Sequence, residues 1–168
     1  RAQRRVGSPA SGVYGRQVRL VIVGDGPVES ELRERPAKSA ACSSINFAGA
    51  VQDPAPWYQA SDIFLLSSRL EGLSNSLMEA LSSGLPIIST RISGSEDIIG
   101  ETEAGALVEV GDSAAMAREL GRFHEDGDLR LARAPRARRY AAAHILSRIP
   151  TRRCCHHHTH STLWQAGM

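Results

Sequence analysis

The chain has 168 residues, of which 42% are hydrophobic and 23% are charged, and its net charge is +2. This length fits about one domain of ~150 residues, and the composition excludes wholly disordered, collagen-like and coiled-coil chains. Apolar runs such as IFLL are far shorter than the roughly 18 to 20 residues that a membrane-spanning helix needs. The first residues lack the apolar stretch of a signal peptide. Because the chain also begins without Met, we expect a fragment or a processed chain.

Charge is unevenly distributed along the chain. Residues 1–128 hold 12 basic and all 18 acidic residues, a net charge of −6, whereas residues 129–168 hold 8 Arg and no acid, a net charge of +8. We therefore divide the chain into an irregular N-terminal segment (1–17), a folded domain (18–146) and a basic, disordered or non-native tail (147–168). Three cysteines, two of them adjacent, cannot form a disulfide framework, which favours a reducing compartment.

Short β-branched runs alternate with helical patterns through the folded domain. The predicted strands are 19–24, 45–49, 62–68, 86–90 and 105–110. The predicted helices are 28–35, 54–61, 76–83, 94–100, 112–126 and 129–143. Gly84 is expected just after the end of its helix, and Pro135 should start or kink the last one. This alternation predicts an α/β fold, a Rossmann-like parallel sheet of about five strands with helices on both faces.

The segment after the third predicted strand contains the most informative pattern. Glu71 and Glu79 are separated by seven residues, among which are a glycine and the start of a helix. A strand, a turn and a helix N-terminus make an anion site, because free amides and the positive end of the helix dipole face the ligand. Glu79 could accept hydrogen bonds from vicinal hydroxyls such as those of a ribose, and Glu71 could face a more distal group. The amides would come from Leu73, Ser74 and Asn75.

A purely structural interpretation fits the same spacing. Ser76 and Glu79 match a capping box, in which a serine caps the helix and a glutamate three residues later bonds back to it. Glu71 would then be a solvated loop acid. Spacing alone leaves both interpretations open.

Five motifs occur in a characteristic order: VRLVIVGDGP, INFAGAVQD, WYQASDIFLLSSRLEGLSNSLMEALSSGLPIIST, GSEDII and GALVEVGD. Over about 120 residues, from Arg19 to Arg139, the chain resembles the C-terminal, nucleotide-sugar-binding domain of retaining glycosyltransferases with the GT-B fold. In that architecture two Rossmann-like domains face each other across a cleft. The resemblance implies one half of a GT-B fold.

The resemblance also implies roles for individual residues. Glu71 matches the first acid of the family's motif and would lie near the transferred sugar and the reacting carbon, as the catalytic position. Glu79 matches the second acid and would bind the ribose hydroxyls. The remaining implied donor contacts are Gly24 and Gly26 at the edge of the cleft, the loop Ala50, Val51 and Gln52 at the nucleobase, and the backbone amides of Gly72, Leu73, Ser74 and Asn75 at the diphosphate and sugar.

As implied by the resemblance, the function is transfer of a hexosyl group, with retention, from a UDP-sugar to a saccharide or lipid acceptor. The family commonly works without a resident cofactor or a bound divalent metal, so we expect neither. The partner would be an N-terminal acceptor-binding domain, which is missing here, and no nucleic acid is expected. We expect a cytoplasmic location, with peripheral contact of the parent enzyme at the inner membrane face. Two alternatives stay open: an incomplete fragment that binds nucleotide weakly, and a GT-B-like UDP-sugar epimerase.

The chain departs from the family's pattern at its N-terminal end. The Arg and Lys that clamp the donor diphosphate precede the first strand of the resemblance, whereas the only lysine, Lys38, follows it. Arg4, Arg5 or Arg16 are the substitutes available. Residues 1–17 are also too short for the family's first strand and helix of this domain, so we expect an uncovered sheet edge or apolar helix face and a tendency to aggregate.

Two further motifs suggest other ligands but match poorly. Cys154, Cys155 and the histidines at 156–158 and 160 could bind a metal ion, yet their spacing fits no structural zinc pattern, so we assign no metal site. The turn after the first strand has Glu29 where the dinucleotide fingerprint needs its third glycine, which disfavours an NAD site.

Overall fold

The computed structural model describes residues 18–37, 42–72, 74–144 and 162–165. Within these ranges the strands are β1 (Leu20–Val23), β2 (Ile45–Gly49), β3 (Ile63–Leu66), β4 (Ile87–Thr90), β5 (Gly105–Val108) and β6 (Thr162–Gln165). The α-helices are α1 (Glu29–Ala37), α2 (Ala55–Gln59), α3 (Asn75–Ser82), α4 (Ser93–Thr102), α5 (Ser113–Glu125) and α6 (Gly127–His144), and Cys42–Ser44 form a 3-10 turn.

The strands form one sheet in the order β2-β1-β6-β3-β4-β5, and every neighbouring pair is parallel. The predicted Rossmann-like α/β class is therefore confirmed, with six strands instead of about five. The additional strand is β6. It comes from residues that the sequence analysis assigned to the tail; the rest of 147–168 lies outside the described residues. Because β6 occupies the centre of the sheet, the outer edges of the sheet are β2 and β5.

β3 and β4 are buried on both faces, as expected of strands in a parallel sheet with helices on either side. Phe64 and Leu66 of β3 pack into one apolar cluster with Leu77 of α3, while Ile63 and Leu65 pack into a second cluster with Phe123 of α5. Since successive side chains of a strand point to opposite faces, the continuous run IFLL supplies both layers. Each fully buried Leu or Phe stabilises the fold by about 1.5 to 3 kcal/mol.

Local signals account for several helix ends. Asp112 caps α5, because its carboxylate accepts a hydrogen bond of 2.8 Å from the amide of Ala115. Gly84 follows α3 with φ +78°, which confirms the predicted glycine after the helix end. Pro135 lies inside α6 and does not start it. Ala137 and Ala141, which follow the proline, are buried in the core, and their packing holds the helix beyond it.

Among the helices of the described ranges, none combines the length and the apolar character that crossing a lipid bilayer requires.

Candidate functional site

The loops that follow β1, β2 and β3 lie at one edge of the sheet, because parallel strands share the direction of their carboxyl ends. Ligands of open α/β sheets bind at this edge. The amide of Gly24, directly after β1, donates a hydrogen bond of 2.8 Å to the carbonyl of Gly49, the last residue of β2. The structure thus joins the Gly24 turn to the start of the Ala50–Gln52 loop, two segments that the sequence analysis placed at the donor.

Glycine is required in this turn for conformational reasons. Gly24 has φ +119° and Gly49 has φ +70°, a region that L-residues rarely adopt. A Cβ atom added at Gly24, Gly26 or Gly72 would meet no atom within 4 Å. The backbone at these positions therefore borders open space, into which a ligand can approach closely.

Glu71 lies in the loop after β3, and neighbouring hydroxyl groups hold it. The buried Ser68 hydroxyl donates a 2.5 Å hydrogen bond to the half-buried Glu71 carboxylate. Ser93, the first residue of α4, contacts the Glu71 carbonyl at 3.5 Å. The Thr90 hydroxyl donates to the carbonyl of Ser68 at 2.6 Å. The end of β4 and the start of α4 therefore fix the loop that presents Glu71.

The start of α3 differs from the capping alternative. Ser74 is the residue at the N-cap, with extended backbone, and its side chain makes no capping bond to the helix. Its hydroxyl lies 2.8 Å from the hydroxyl of Ser76, which is already inside the helix. The capping-box interpretation of Ser76 and Glu79 is therefore wrong, because α3 begins two residues too early for Ser76 to cap it. Glu79 lies on the second turn instead.

Glu79 contacts Tyr58, a residue of α2. Burial raises the pKa of the Tyr58 hydroxyl well above its usual value, and the charge of Glu79 and a hydrogen bond with it raise this pKa further. Tyr58 is almost completely buried and also packs against Phe64, with ring centroids 5.9 Å apart. The tyrosine therefore stays protonated, and its hydrogen bond links α2 to the Glu79 side chain of α3.

The structure says less about the roles of the other residues predicted for the site. Val51 is half-buried and packs against the core, whereas Gln52 and Gly72 are exposed and Asn75 opens α3 with an exposed side chain. Leu73 lies outside the described residues. So do Lys38, the arginines at 4, 5 and 16, and the Cys and His cluster between 154 and 160. Over the ranges that are described, no group of three or more His, Cys, Asp or Glu could hold a metal ion.

Sequence reasoning missed the supporting residues of this site. Ser68, Thr90 and Ser93 look like ordinary strand-end and loop residues, and Tyr58 looks like a core aromatic. Their partners lie 3 to 22 residues away along the chain, and only the packing of the loop after β3 against the end of β4 and the start of α4 brings the distant ones together. No local spacing pattern encodes these contacts.

Two surface cavities lie away from this site. A cavity of about 870 Å³ lies between α5 and the start of α6, lined among others by Arg118, Arg122 and Asp126. A second of about 450 Å³ lies at the amino ends of β1 and β2. Neither includes a residue that the motifs or the loop geometry assign to the ligand.

Comparison with known proteins identifies the family to which this chain is similar. The family model for glycosyl transferases group 1 matches residues 10–126. The lipopolysaccharide core biosynthesis glycosyltransferase LpsE of Rhizobium meliloti is 32% identical over 119 residues, which cover 71% of this chain and 34% of that protein. This chain therefore spans about a third of the length of the curated relative.

Solved structures agree with the fold. The chain matches WaaG, a glycosyltransferase involved in lipopolysaccharide biosynthesis, with 25% identity and a TM-score of 0.69, over 76% of this chain and 35% of WaaG. It matches the pneumococcal O-GlcNAc transferase GtfA, solved in complex with UDP and GlcNAc, with 26% identity and a TM-score of 0.67. That match covers 74% of this chain and 26% of GtfA.

Proposed function

Because the chain belongs to the glycosyl transferases group 1 family, we propose that it is the donor-binding half of a retaining glycosyltransferase. The whole protein would move a hexosyl group from a nucleotide sugar, with UDP as the nucleotide, to a saccharide or lipid acceptor. The UDP in the GtfA complex supports the choice of nucleotide. The named activity of LpsE supports an acceptor of the lipopolysaccharide kind. Cytoplasmic location and peripheral contact with the inner membrane face belong to the same proposal.

One observation carries the donor-site proposal: Glu71 and Glu79 flank the N-terminus of α3, and no side chain at the N-cap position satisfies its first amides. Such amides, together with the positive end of the helix dipole, favour a diphosphate. Glu79 would accept hydrogen bonds from the ribose hydroxyls, and Tyr58 would hold its carboxylate in place. The Gly24 turn and the Ala50–Gln52 loop would border the nucleobase side.

The proposed reaction breaks the bond between the anomeric carbon of the sugar and a diphosphate oxygen. The new bond joins that carbon to an acceptor hydroxyl oxygen on the same face, through an oxocarbenium-like transition state, and the hydroxyl proton passes to the departing diphosphate oxygen. Negative charge develops on the departing diphosphate, where the amides at the start of α3 would stabilise it. Glu71, held by Ser68, would lie beside the sugar and stabilise the positive charge on the ring. Neither step requires a nucleophilic side chain.

Calorimetric titration of the chain with UDP tests the donor site. A hydrogen bond to a charged group contributes about 1.5 to 3 kcal/mol, so Glu79→Ala should weaken UDP binding by about tenfold to a hundredfold. Glu101→Ala is the matched control, because Glu101 is exposed on α4, away from the carboxyl ends of the strands. Equal affinities of wild type and Glu79→Ala would remove the ribose contact from the proposal.

The alternative of an incomplete fragment has its own supporting observation, since the chain spans only 34% of LpsE and 35% of WaaG. It predicts UDP binding without transfer. Release of UDP from a UDP-sugar, dependent on an added saccharide acceptor and catalysed by this chain alone, would contradict it. Release of UDP without an acceptor would instead favour the epimerase alternative.

A further inference from the structure

The last described element of the chain lies in the middle of the sheet. β6 pairs with β1 on one side and with β3 on the other. Leu163 is the register partner of Val21 in β1 and of Phe64 in β3. All four of its residues are in register with both neighbours. β1 and β3 are not neighbours in the sheet order; β6 alone connects the pair β2-β1 to the triplet β3-β4-β5.

Without β6, the facing edges of β1 and β3 would each present a row of unpaired backbone groups. With β6 in place, Ile22, Val23 and the whole of β3 are buried, so these edges lie in the core of the folded chain. An unsatisfied buried amide or carbonyl costs about 1 to 3 kcal/mol, and nearly all such groups are paired in folded proteins. The space between β1 and β3 therefore requires a strand.

The sequence of the C-terminal segment suits this position. Ser161–Met168, the stretch that contains β6, has no charged residue, whereas the part of the tail before it contains Arg148, Arg152 and Arg153. An uncharged strand can be buried without the large cost of desolvating a charge. Recognition by backbone hydrogen bonds in an extended conformation is the way in which many proteins bind peptides as an added strand.

We propose that the space between β1 and β3 is a binding slot for one extended peptide strand, and that residues 162–165 occupy it as a tethered ligand. The strand enters parallel to both neighbours and is held by two backbone ladders. The slot accepts the same segment when it is supplied as a separate peptide. This activity is distinct from donor binding.

The slot also affects the candidate site, a consequence that rests on the proposed function. The chain runs from β1 outward to β2 on one side of β6 and from β3 outward to β4 on the other, so β6 marks the point where the strand order reverses. Ligands of such sheets bind outside the carboxyl ends at this point. Two strand spacings of about 4.8 Å separate β1 from β3, so β6 sets the distance between the Gly24 turn and the Glu71 loop. Occupation of the slot should therefore raise the affinity for UDP, and bound UDP should in turn stabilise the strand in the slot.

Hydrogen–deuterium exchange on the full chain tests the slot directly. Amides of β6 should exchange at least a hundredfold slower than in a free peptide of residues 159–168. Leu163→Pro removes a backbone donor from a central strand, where proline is not tolerated, so β1 and β3 should lose protection together with β6. Met168→Pro, which lies outside β6, is the matched control and should leave the exchange pattern unchanged.

Addition of the 159–168 peptide to the Leu163→Pro chain should restore protection at β1 and β3, and the same peptide with Leu163→Pro should not. If the Leu163→Pro chain unfolds, recovery of its circular dichroism on adding the wild-type peptide is the readout. Free exchange of residues 162–165 in wild type, with β1 and β3 still protected, would overturn the proposal, as would failure of the wild-type peptide to restore either signal. Protected β6 amides in a wild-type chain that does not bind UDP would contradict the donor site and leave the slot standing.

Discussion

The Ser68 hydroxyl donates a hydrogen bond of 2.5 Å to the carboxylate of Glu71, three residues further along the loop that follows β3. Ser68 is buried and Thr90 holds its carbonyl, so the donor itself is fixed. Glu71 is therefore oriented before any ligand arrives. Such preorganisation reduces the entropy lost when a catalytic group engages its substrate.

Glu71→Gln should separate sugar binding from nucleotide binding. In the proposed site Glu71 faces the sugar, so UDP-glucose affinity should fall by about tenfold while UDP affinity changes less than about twofold. A bond to a charged acceptor of about 1.5 kcal/mol corresponds to roughly this loss. Titration calorimetry with both ligands makes the measurement. An equal loss for UDP and UDP-glucose would place Glu71 at the nucleotide instead.

Ser68→Ala should have a smaller effect in the same direction. The variant keeps the Glu71 carboxylate but removes the bond that orients it, so the preference for UDP-glucose over UDP should lie between those of wild type and Glu71→Gln. Ser93→Ala removes the 3.5 Å contact with the Glu71 carbonyl but leaves the bond to the carboxylate, so its effect should be smaller than that of Ser68→Ala. A Ser68→Ala chain indistinguishable from wild type in both titrations would show that the bond does not orient Glu71 for the sugar.

Stability should fall at alkaline pH because of Tyr58. Burial, and then Glu79, raise the pKa of Tyr58 in the folded chain above its ordinary value of 10.0. In the unfolded chain the tyrosine loses its proton near pH 10, while the folded chain still holds it, so the free energy of unfolding decreases as pH rises beyond about 10. Tyr58→Phe should flatten this decrease between pH 9 and 11.5, as measured by urea denaturation.

The matched variant for this test is Tyr140→Phe. Tyr140 also has a raised pKa, mainly from burial and then from Glu101 and Asp97, but it is more exposed than Tyr58. Its substitution should change the alkaline slope less. If the free energy of unfolding of Tyr58→Phe fell as steeply with pH as that of wild type, or more steeply, the alkaline loss of stability would not come from Tyr58.

Replacement of two glycines by alanine should change the stability of the fold in opposite directions. A Cβ atom at Gly105, the first residue of β5, would collide with the backbone carbonyl of Ile87 in β4, so Gly105→Ala should destabilise the fold by about 1 to 3 kcal/mol. Gly100 lies within α4 with open space around it, so Gly100→Ala should stabilise by about 0.5 to 1 kcal/mol. Chemical denaturation of both variants measures the difference. Similar effects at the two positions would contradict the close β4–β5 approach.

The cap of α5 should contribute measurably to stability. Asp112 is an exposed residue, and its carboxylate accepts the bond from the Ala115 amide at 2.8 Å. Loss of such a cap costs about 0.5 to 2 kcal/mol, so Asp112→Ala should lower the thermal midpoint, whereas Ser113→Ala, at the next and equally exposed position, should change it little. The two midpoints can be compared by circular dichroism at 222 nm.

The sequence by itself determined the regular elements between β1 and α6. INFAG matches β2 residue for residue, and the runs around IFLL and PIIST contain β3 and β4. These assignments succeeded because a buried parallel strand is a short, continuous apolar run between turn residues, a signal that depends only on neighbours along the chain. The Glu71 and Glu79 motif was visible for the same reason.

Only the tertiary structure decided what supports that motif and what completes the sheet. The bonds of Ser68 with Glu71 and of Thr90 with Ser68, and the contact of Tyr58 with Glu79, depend on how loops and helices meet after folding. The four residues of β6 have no periodic pattern that predicts a strand. Their position follows from backbone hydrogen bonding to the edges of β1 and β3, whose paired residues lie 142 and 99 positions away along the chain. Long-range pairing of this kind cannot be predicted from the residues that neighbour the strand along the chain.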